Sequence, residues 1–326
     1  MGNLVAKKWN LKILVLVFLL MSGVSQTQAD IYEWAYVNPS DPSQGVVQSS
    51  VVCPGGSSVS AVPSVNLANL DLTQAYLIGA DLEAATLTNA NLTNANLSNA
   101  SLVYSRLTNA DLTGANLTNA DVASSRLTNA NLTGATVAGT NFLNSNFTAS
   151  QLYSTASYQV QNLQGIELYD LNLTGGDLSG QNLTNAWLYD GTLARADLTG
   201  ANLTNTKLTY ADLTGADLRG AQGLHLDTTT TTTNTILPDG TINGLSLDSP
   251  NHPLLVRNYR ANIPIHILQG MSMNTGASLV LEFDGAPWGS TISFASGIRV
   301  RLNGNLELDL AAGVNPAGLV GDSFQV

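Results

Sequence analysis

The chain is poor in the residues from which reaction centres are built. Cys53 is the only cysteine among 326 residues, which excludes an intramolecular disulfide and any CxxC metal or redox site. The 3 histidines, His225, His252 and His266, lie in separate turn-rich or strand contexts. No HExxH, phosphate loop or GxSxG elbow accompanies them or the many serines. The sequence therefore offers no catalytic residue and no cofactor motif, and it reads as a non-enzyme. Charge is scarce too, at 11% of the chain, and basic residues are the scarcer kind, 12 against 23 acidic. A net charge of −11 repels nucleic-acid backbones, whose binding needs Lys and Arg on the phosphates, so direct nucleic-acid binding is not expected.

Long apolar runs are confined to the beginning. Lys7, Lys8 and Lys12 precede the run Ile13 to Met21, and Thr27-Gln28-Ala29 offers a small-residue cleavage site. Residues 1–29 read as a secretory signal, with a mature chain from Asp30. The run is shorter than the ~20 residues needed to span a bilayer, so no transmembrane segment is expected in the mature chain. No cysteine lies near the cleavage site, which argues against lipoprotein processing, and no twin-arginine pair precedes the run. The expected location is periplasm, cell surface or extracellular. Loss of three of the 12 basic residues leaves nine against 23 acidic ones, a balance of −14.

What the chain does have is a period. From Val65 to Ala221 an apolar residue returns every five positions: Leu67, Leu72, Leu77 and so on to Leu117, then Val122, Leu127, Leu132, Val137, Phe142, Phe147 and Leu152. The register slips by one residue and resumes from Leu163 to Leu218. Two residues before each centre stands a smaller residue, such as Ala75, Ala80, Ala85 or Ser105. On a helix, at ~100° per residue, a period of five smears around the cylinder. On a flat strand it alternates between faces. All the centres point inward only if the backbone turns a corner every five residues, giving a square coil of about 20 residues stacked at the ~4.8 Å strand spacing.

Blocks such as Ala110-Asp111-Leu112-Thr113-Gly114 and Ala90-Asn91-Leu92-Thr93-Asn94 resemble the pentapeptide repeat, A-(D/N)-L-x-x. The resemblance covers about half of the chain and implies an all-β fold, a right-handed quadrilateral β-helix with the central Leu and the preceding Ala inside. Outward positions are mostly Thr, Asn, Asp and Gly, which suit tight corners and water. The Asn-x-Thr strings are a by-product of the repeat and are not read as glycosylation sites.

Around the solenoid the chain divides by composition. Residues 30–64, with Pro39, Pro42, Pro54, Pro63 and Gly55-Gly56, read as an N-terminal cap for the open end coil. Cys53 reads as a small apolar filler near the first coil. An interruption at 148–162 has capping-box spacing from Thr148 to Gln151 and a short helix from Leu152 to Tyr158, expected to bulge from one corner. Residues 222–235, with six threonines from Thr228 to Thr233, read as a low-complexity joint. Residues 236–326 read as a β-rich module containing a hairpin, Ile298, Val300 and Leu302 against Leu306, Leu308 and Leu310 around Asn303-Gly304-Asn305. Its segments Ile236 to Leu245 and Trp288 to Phe294 resemble exported proteins that end in a PEP-CTERM sorting tail. No such tail follows, and the sequence is expected to be truncated at Val326.

Residues twenty apart stack on adjacent coils, so the outer surface reads as columns. Arg106 and Arg126 form a basic pair. Asp177, Asp197 and Asp217 form a carboxylate run, a weak candidate for a calcium site. Tyr169 and Tyr189, with Asp170 and Asp190, form an aromatic and acidic pair. They join Tyr153 and Tyr158 of the interruption as candidates for an interaction surface. Three functional classes follow. The favoured one is a non-catalytic structural or protein-interaction scaffold of the bacterial cell envelope, its partner an unknown protein or surface polymer. The second is implied by the resemblance, whose quinolone-resistance members mimic DNA and bind a topoisomerase. Here the signal segment points to the wrong compartment, and Val65 to Ala221 holds only twelve acidic and five basic residues, or −7. The third is an exported carbohydrate-binding or carbohydrate-active β-helix protein, with Tyr169, Tyr189, Asp170 and Asp190 as its only candidate cleft.

Overall fold

A computed structural model describes residues 29–247, 254–257, 263–283, 292–297, 299–302 and 305–310. The apolar run Ile13 to Met21, the expected turn at 303–304 and the chain end at Val326 lie outside the described residues.

The period of five becomes a stack of square coils. One residue per side, immediately before each centre, makes a parallel bridge to the residue twenty further on, as in Asn91↔Asp111↔Asn131 and Arg106↔Arg126. Leu92 N–H donates to Asp111 C=O at 2.7 Å and Asn94 N–H to Thr113 C=O at 2.8 Å, while Ala95 N–H closes the turn on Leu92 C=O at 2.9 Å. Two residues after each centre the backbone enters the left-handed region, with φ of 57° at Asn89, 56° at Asn94 and 65° at Gly114. That residue is the corner. Gly, Asn and Asp are enriched there because an L side chain meets the following carbonyl at positive φ, and their small or locally bonded side chains tolerate it best. The asparagines also bond up the corner, Asn89 Nδ2 to Asn69 Oδ1 at 2.9 Å and Asn109 Nδ2 to Asn89 Oδ1 at 3.1 Å.

The centres from Leu67 to Leu218 are buried, and the small residues two before them fill the space between. Phe142 and Phe147 stack within this core, ring centroids 3.9 Å apart. At the first coil, β1 (Tyr32–Tyr36) and β2 (Val46–Val52) pair antiparallel and engage the free edge: Tyr76 N–H donates to Tyr32 C=O at 2.7 Å and Gly55 N–H to Asp71 C=O at 2.7 Å. Cys53 and Ile31 are buried in the same core.

At the slip, Asn141 bridges Glu167, so this coil carries six extra residues. The longer coil accommodates α1 (Ala149–Ser154) and α2 (Ala156–Gln159). The capping box is present, with Thr148 N–H on Gln151 Oε1 at 3.0 Å and Gln151 N–H on Thr148 Oγ1 at 3.2 Å. The expected bulge is not. Leu152 enters the core, and Gly134 N–H and Ala135 C=O pair with Ser154 and Ala156 at 2.9 Å, so both helices lie in the wall. The Gln151 side chain completes the seam by donating to Leu127 and Ala130 carbonyls, each at 2.9 Å.

Two further expectations are corrected. The threonine run is no joint: Asp212 bridges Thr231 and Asp217 bridges Ile236, so the ladder continues through it. Thr230 and Thr235 take the place of the small inward residue, their hydroxyls donating to Leu208 C=O at 3.0 Å and Leu213 C=O at 2.7 Å. Nor do the last strands form a hairpin. β3 (Thr241–Ile242), β6 (Ile265–Ile267) and β9 (Ile292–Phe294) make one parallel sheet; β4 (Leu245–Leu247), β7 (Gly270–Met273) and β10 (Arg299–Leu302) a second; β5 (Leu254–Arg257), β8 (Ser278–Phe283) and β11 (Asn305–Leu310) a third. Leu306 pairs with Leu279, a whole coil back, rather than with β10. The second region is thus a wider, three-sheet coil around its own core of Ile242, Leu245, Val256, Ile267 and Met271. Its alternating pattern reflects ordinary strands, one side chain in and the next out.

Candidate interaction surface

Most outward side chains serve the scaffold. The Asp or Asn before each centre accepts from the amide two residues on, as Asp177 Oδ1 does from Ser179 N–H at 2.9 Å and Asn91 Oδ1 from Thr93 N–H at 3.1 Å. The aromatics are the exception. Tyr104, Trp187 and Tyr210 are 61%, 49% and 54% exposed, and Tyr169 is also open to solvent.

Tyr169 and Tyr189 follow Leu168 and Leu188 on adjacent coils. Their rings stack at 5.3 Å with 14° between planes, and Tyr210 meets Tyr189 edge-on at 5.4 Å and 74°. Tyr169 Oη donates to Asp190 Oδ2 at 2.7 Å. That bond to a carboxylate, with some desolvation, holds the Tyr169 hydroxyl above its ordinary range, and desolvation does the same for Tyr189. Both phenols therefore stay neutral and serve as hydrogen-bonding groups. Trp187 flanks Leu188 on the other side from Tyr189 and so faces outward with it, between Glu167 and Lys207 of the neighbouring coils. Asp227, held below the usual carboxylate range by Thr229 and Thr209, adds an anion at the edge.

Tyr210 does not sit where Tyr189 does. It occupies the corner, with φ 61°, and Tyr104 occupies the same corner further down with φ 58°. The positions between, Ser124, Asn144, Asp170 and Asp190, share this left-handed backbone. A bulky side chain there costs about 1–2 kcal/mol that glycine avoids. The twenty-residue columns of the sequence point to neither Trp187 nor Tyr210. Trp187 is the only Trp in a position mostly held by Asp, Asn or Thr. Tyr210 falls 21 rather than 20 residues after Tyr189 and escapes a column count.

The remaining candidates do not join this face as contact groups. Tyr153 and Tyr158 fold against the wall, ring centroids 4.9 Å apart, with Tyr158 Oη donating to Asp177 C=O at 2.6 Å. A Cβ at Gly176 would collide with the Tyr153 hydroxyl, so that glycine makes room for the ring. The three aspartates do not converge on a cation. Asp177 is exposed, Asp217 is buried and paired with Arg219 at 2.7 Å, and Asp197 is buried on Thr199. Among the described residues no group of acidic, His or Cys side chains is placed to hold a metal ion. His266 bonds Ser293 at 2.8 Å. Burial pushes the Cys53 thiol up to about 12, which suits a filler. No helix among the described residues is long and apolar enough to cross a membrane.

A family model described as "Pentapeptide repeats" matches residues 66–102, 90–129, 125–156 and 188–221, in 8 copies. Residues 66–156 and 188–221 are thus built of pentapeptide repeats. Their coils accordingly form a right-handed β-helix. Among solved structures, the pentapeptide-repeat solenoid is similar to HetL, a pentapeptide repeat protein involved in heterocyst differentiation regulation from Nostoc sp. Strain PCC 7120. The identity is 26%, over 57% of this chain and 82% of that one, with a TM-score of 0.33. It is also similar to full-length QnrB1, a plasmid-mediated fluoroquinolone resistance protein, at 16% identity over 54% of this chain and 92% of that one, TM-score 0.27. Neither likeness bears on what this chain binds. No curated protein matches it.

Proposed function

We propose that this protein is a non-catalytic, exported scaffold of the bacterial cell envelope, and that it holds another protein on the face formed by Tyr169, Trp187, Tyr189 and Tyr210. One observation carries the reading: tyrosine at a left-handed corner. At Tyr210 and Tyr104 the fold keeps an exposed aromatic where glycine or asparagine is cheaper, and strain retained at the surface argues for a task there. Aromatic side chains are the enriched anchors of protein interfaces. Rings of Tyr169 and Tyr189 that cover one another present edges and hydroxyls, which suits a protein surface better than the flat stacking of a sugar ring.

The DNA-mimic alternative is weaker. Of the twelve acidic residues between Val65 and Ala221, Asp197 and Asp217 are buried, and Asp217 is neutralised by Arg219. Export rests on the N-terminal signal pattern, and intact-mass analysis of the native protein from its cell fraction should find a chain beginning at Asp30.

The test of the face is a triple replacement, Trp187→Thr, Tyr189→Thr and Tyr210→Asn, using residues the repeat favours at these positions. The variant should match or exceed the melting temperature of the parent while losing its retention in envelope fractions. Unchanged retention would overturn the assignment of the face.

A further inference from the structure

On the outer side of the β4–β7–β10 sheet lies a groove of about 530 Å³. Register explains its shape. Leu245 pairs with Met271 and Met271 with Val300, and the buried Leu245 and Met271 turn their neighbours outward. One outward column is therefore Gly244, Gly270 and Arg299, and the next is Ser246, Ser272 and Arg301. The floor is bare backbone beside two hydroxyls 3.3 Å apart, and two guanidinium groups close one end.

Neither glycine is required by the fold. Both have ordinary backbone conformations, and a Cβ would come no nearer than 3.9 Å to its surroundings at Gly244 and 3.6 Å at Gly270. Gly244 stands just before β4 and Gly270 is the first residue of β7, each beside the bend that enters its strand, and their lack of a side chain leaves the floor of the groove open there. The arginines are equally unexplained by packing. Both are exposed, and among the described residues neither pairs with a carboxylate, in a chain of net charge −11.

We infer that this groove binds an acidic sugar chain. Carboxylates on successive uronic-acid units take the forked donors of Arg299 and Arg301, which stand two residues apart on one face. Ring hydroxyls bond Ser246 and Ser272, and the flat of a sugar lies over Gly244 and Gly270. An acidic peptide fits less well. The strand that carries Gly270 and Ser272 is paired on both edges, by β4 and β10, and the floor has no pocket for side chains. The volume lies within the ~300–1,000 Å³ usual for small-ligand sites.

Isothermal titration of the full chain with a linear galacturonate tetramer tests this. Binding is expected at low ionic strength, weakening with salt, and absent with the neutral galactose tetramer. The double replacement Arg299→Ala and Arg301→Ala should lower affinity by about tenfold or more. Gly270→Val should abolish binding while leaving the circular dichroism spectrum and melting temperature intact or improved, since it fills the floor with a good strand former. The exposed arginine pair keeps the test decisive should Gly270→Val disturb folding. No binding of the tetramer, equal binding of oligoglutamate or inorganic phosphate, or affinity indifferent to the arginines would each overturn the inference.

Discussion

Arg219 and Asp217 form an ion pair with both side chains buried, Nη2 to Oδ2 at 2.7 Å and Nε to Oδ1 at 3.0 Å. The same guanidinium donates to Arg257 C=O at 2.8 Å and Ile263 C=O at 3.4 Å. One side chain thus ties the last square coils to strand β5 and the approach to β6. Removing one partner of a buried pair strands the other charge at about 3–5 kcal/mol. Arg219→Ala should lose that much in chemical denaturation, with new proteolytic cleavage near the junction. Asp217→Ala combined with Arg219→Ala should cost less than Arg219→Ala alone.

The inward ladder gives a second expectation. Leu112→Asp buries a carboxylate between coils and should unfold or aggregate the protein. Thr113→Asp points outward, yet it gives up a hydroxyl that accepts from Asn131 Nδ2 at 2.8 Å and sets a second carboxylate beside Asp111. Its loss should be about 1 kcal/mol by thermal denaturation. Equal losses would mean that the register is wrong.

At the corners, two effects separate. Asn109→Ala removes both rungs, to Asn89 at 3.1 Å and from Asn129 at 3.2 Å, and leaves a methyl group at φ 58°. Asn109→Gly removes the same rungs without the backbone penalty. The alanine variant should be less stable than the glycine variant by about 1 kcal/mol, measured as a shift in denaturation midpoint.

Asp197 carries a pH dependence. Burial raises its carboxyl above 3.8, against the opposing bonds from Thr199 and the charge of Arg257. A folded state that holds this proton more tightly than the unfolded one loses stability as pH rises from about 3.8 through the raised value, and the deficit persists at neutral pH. Asp197→Asn keeps an acceptor for Thr199, so it should raise the melting temperature at neutral pH, with the gain fading as pH falls toward about 3.8. A fall at neutral pH would mean that the charge of Arg257 outweighs burial.

The square coils were legible in the sequence because every inward position repeats at one spacing, and Leu or Ala at that spacing has a single geometric solution. The capping box from Thr148 to Gln151 was legible for the same local reason. What failed was non-local. Thr230 and Thr235 look like low complexity, yet each hydroxyl is satisfied by the carbonyl of the coil below and stands in for alanine. Asn303-Gly304-Asn305 has turn chemistry, but turn chemistry does not say whether β11 meets β10 or a strand 27 residues back, as Leu306↔Leu279 shows. Asp217 reads as one of three surface carboxylates until the later strands cover it. On the candidate face, Tyr169 and Tyr189 were found by column, whereas Tyr210 required the corner geometry.

The claim that the aromatic corner is where this solenoid meets its partner is tested most directly by site-specific photocrosslinking in intact cells. A photoreactive residue replaces Tyr210 in one variant and, in another, the exposed Thr133, half a coil away from the tyrosine column. A discrete protein adduct is expected from position 210 and none from position 133. The same adducts from both positions, or none from Tyr210, would contradict it.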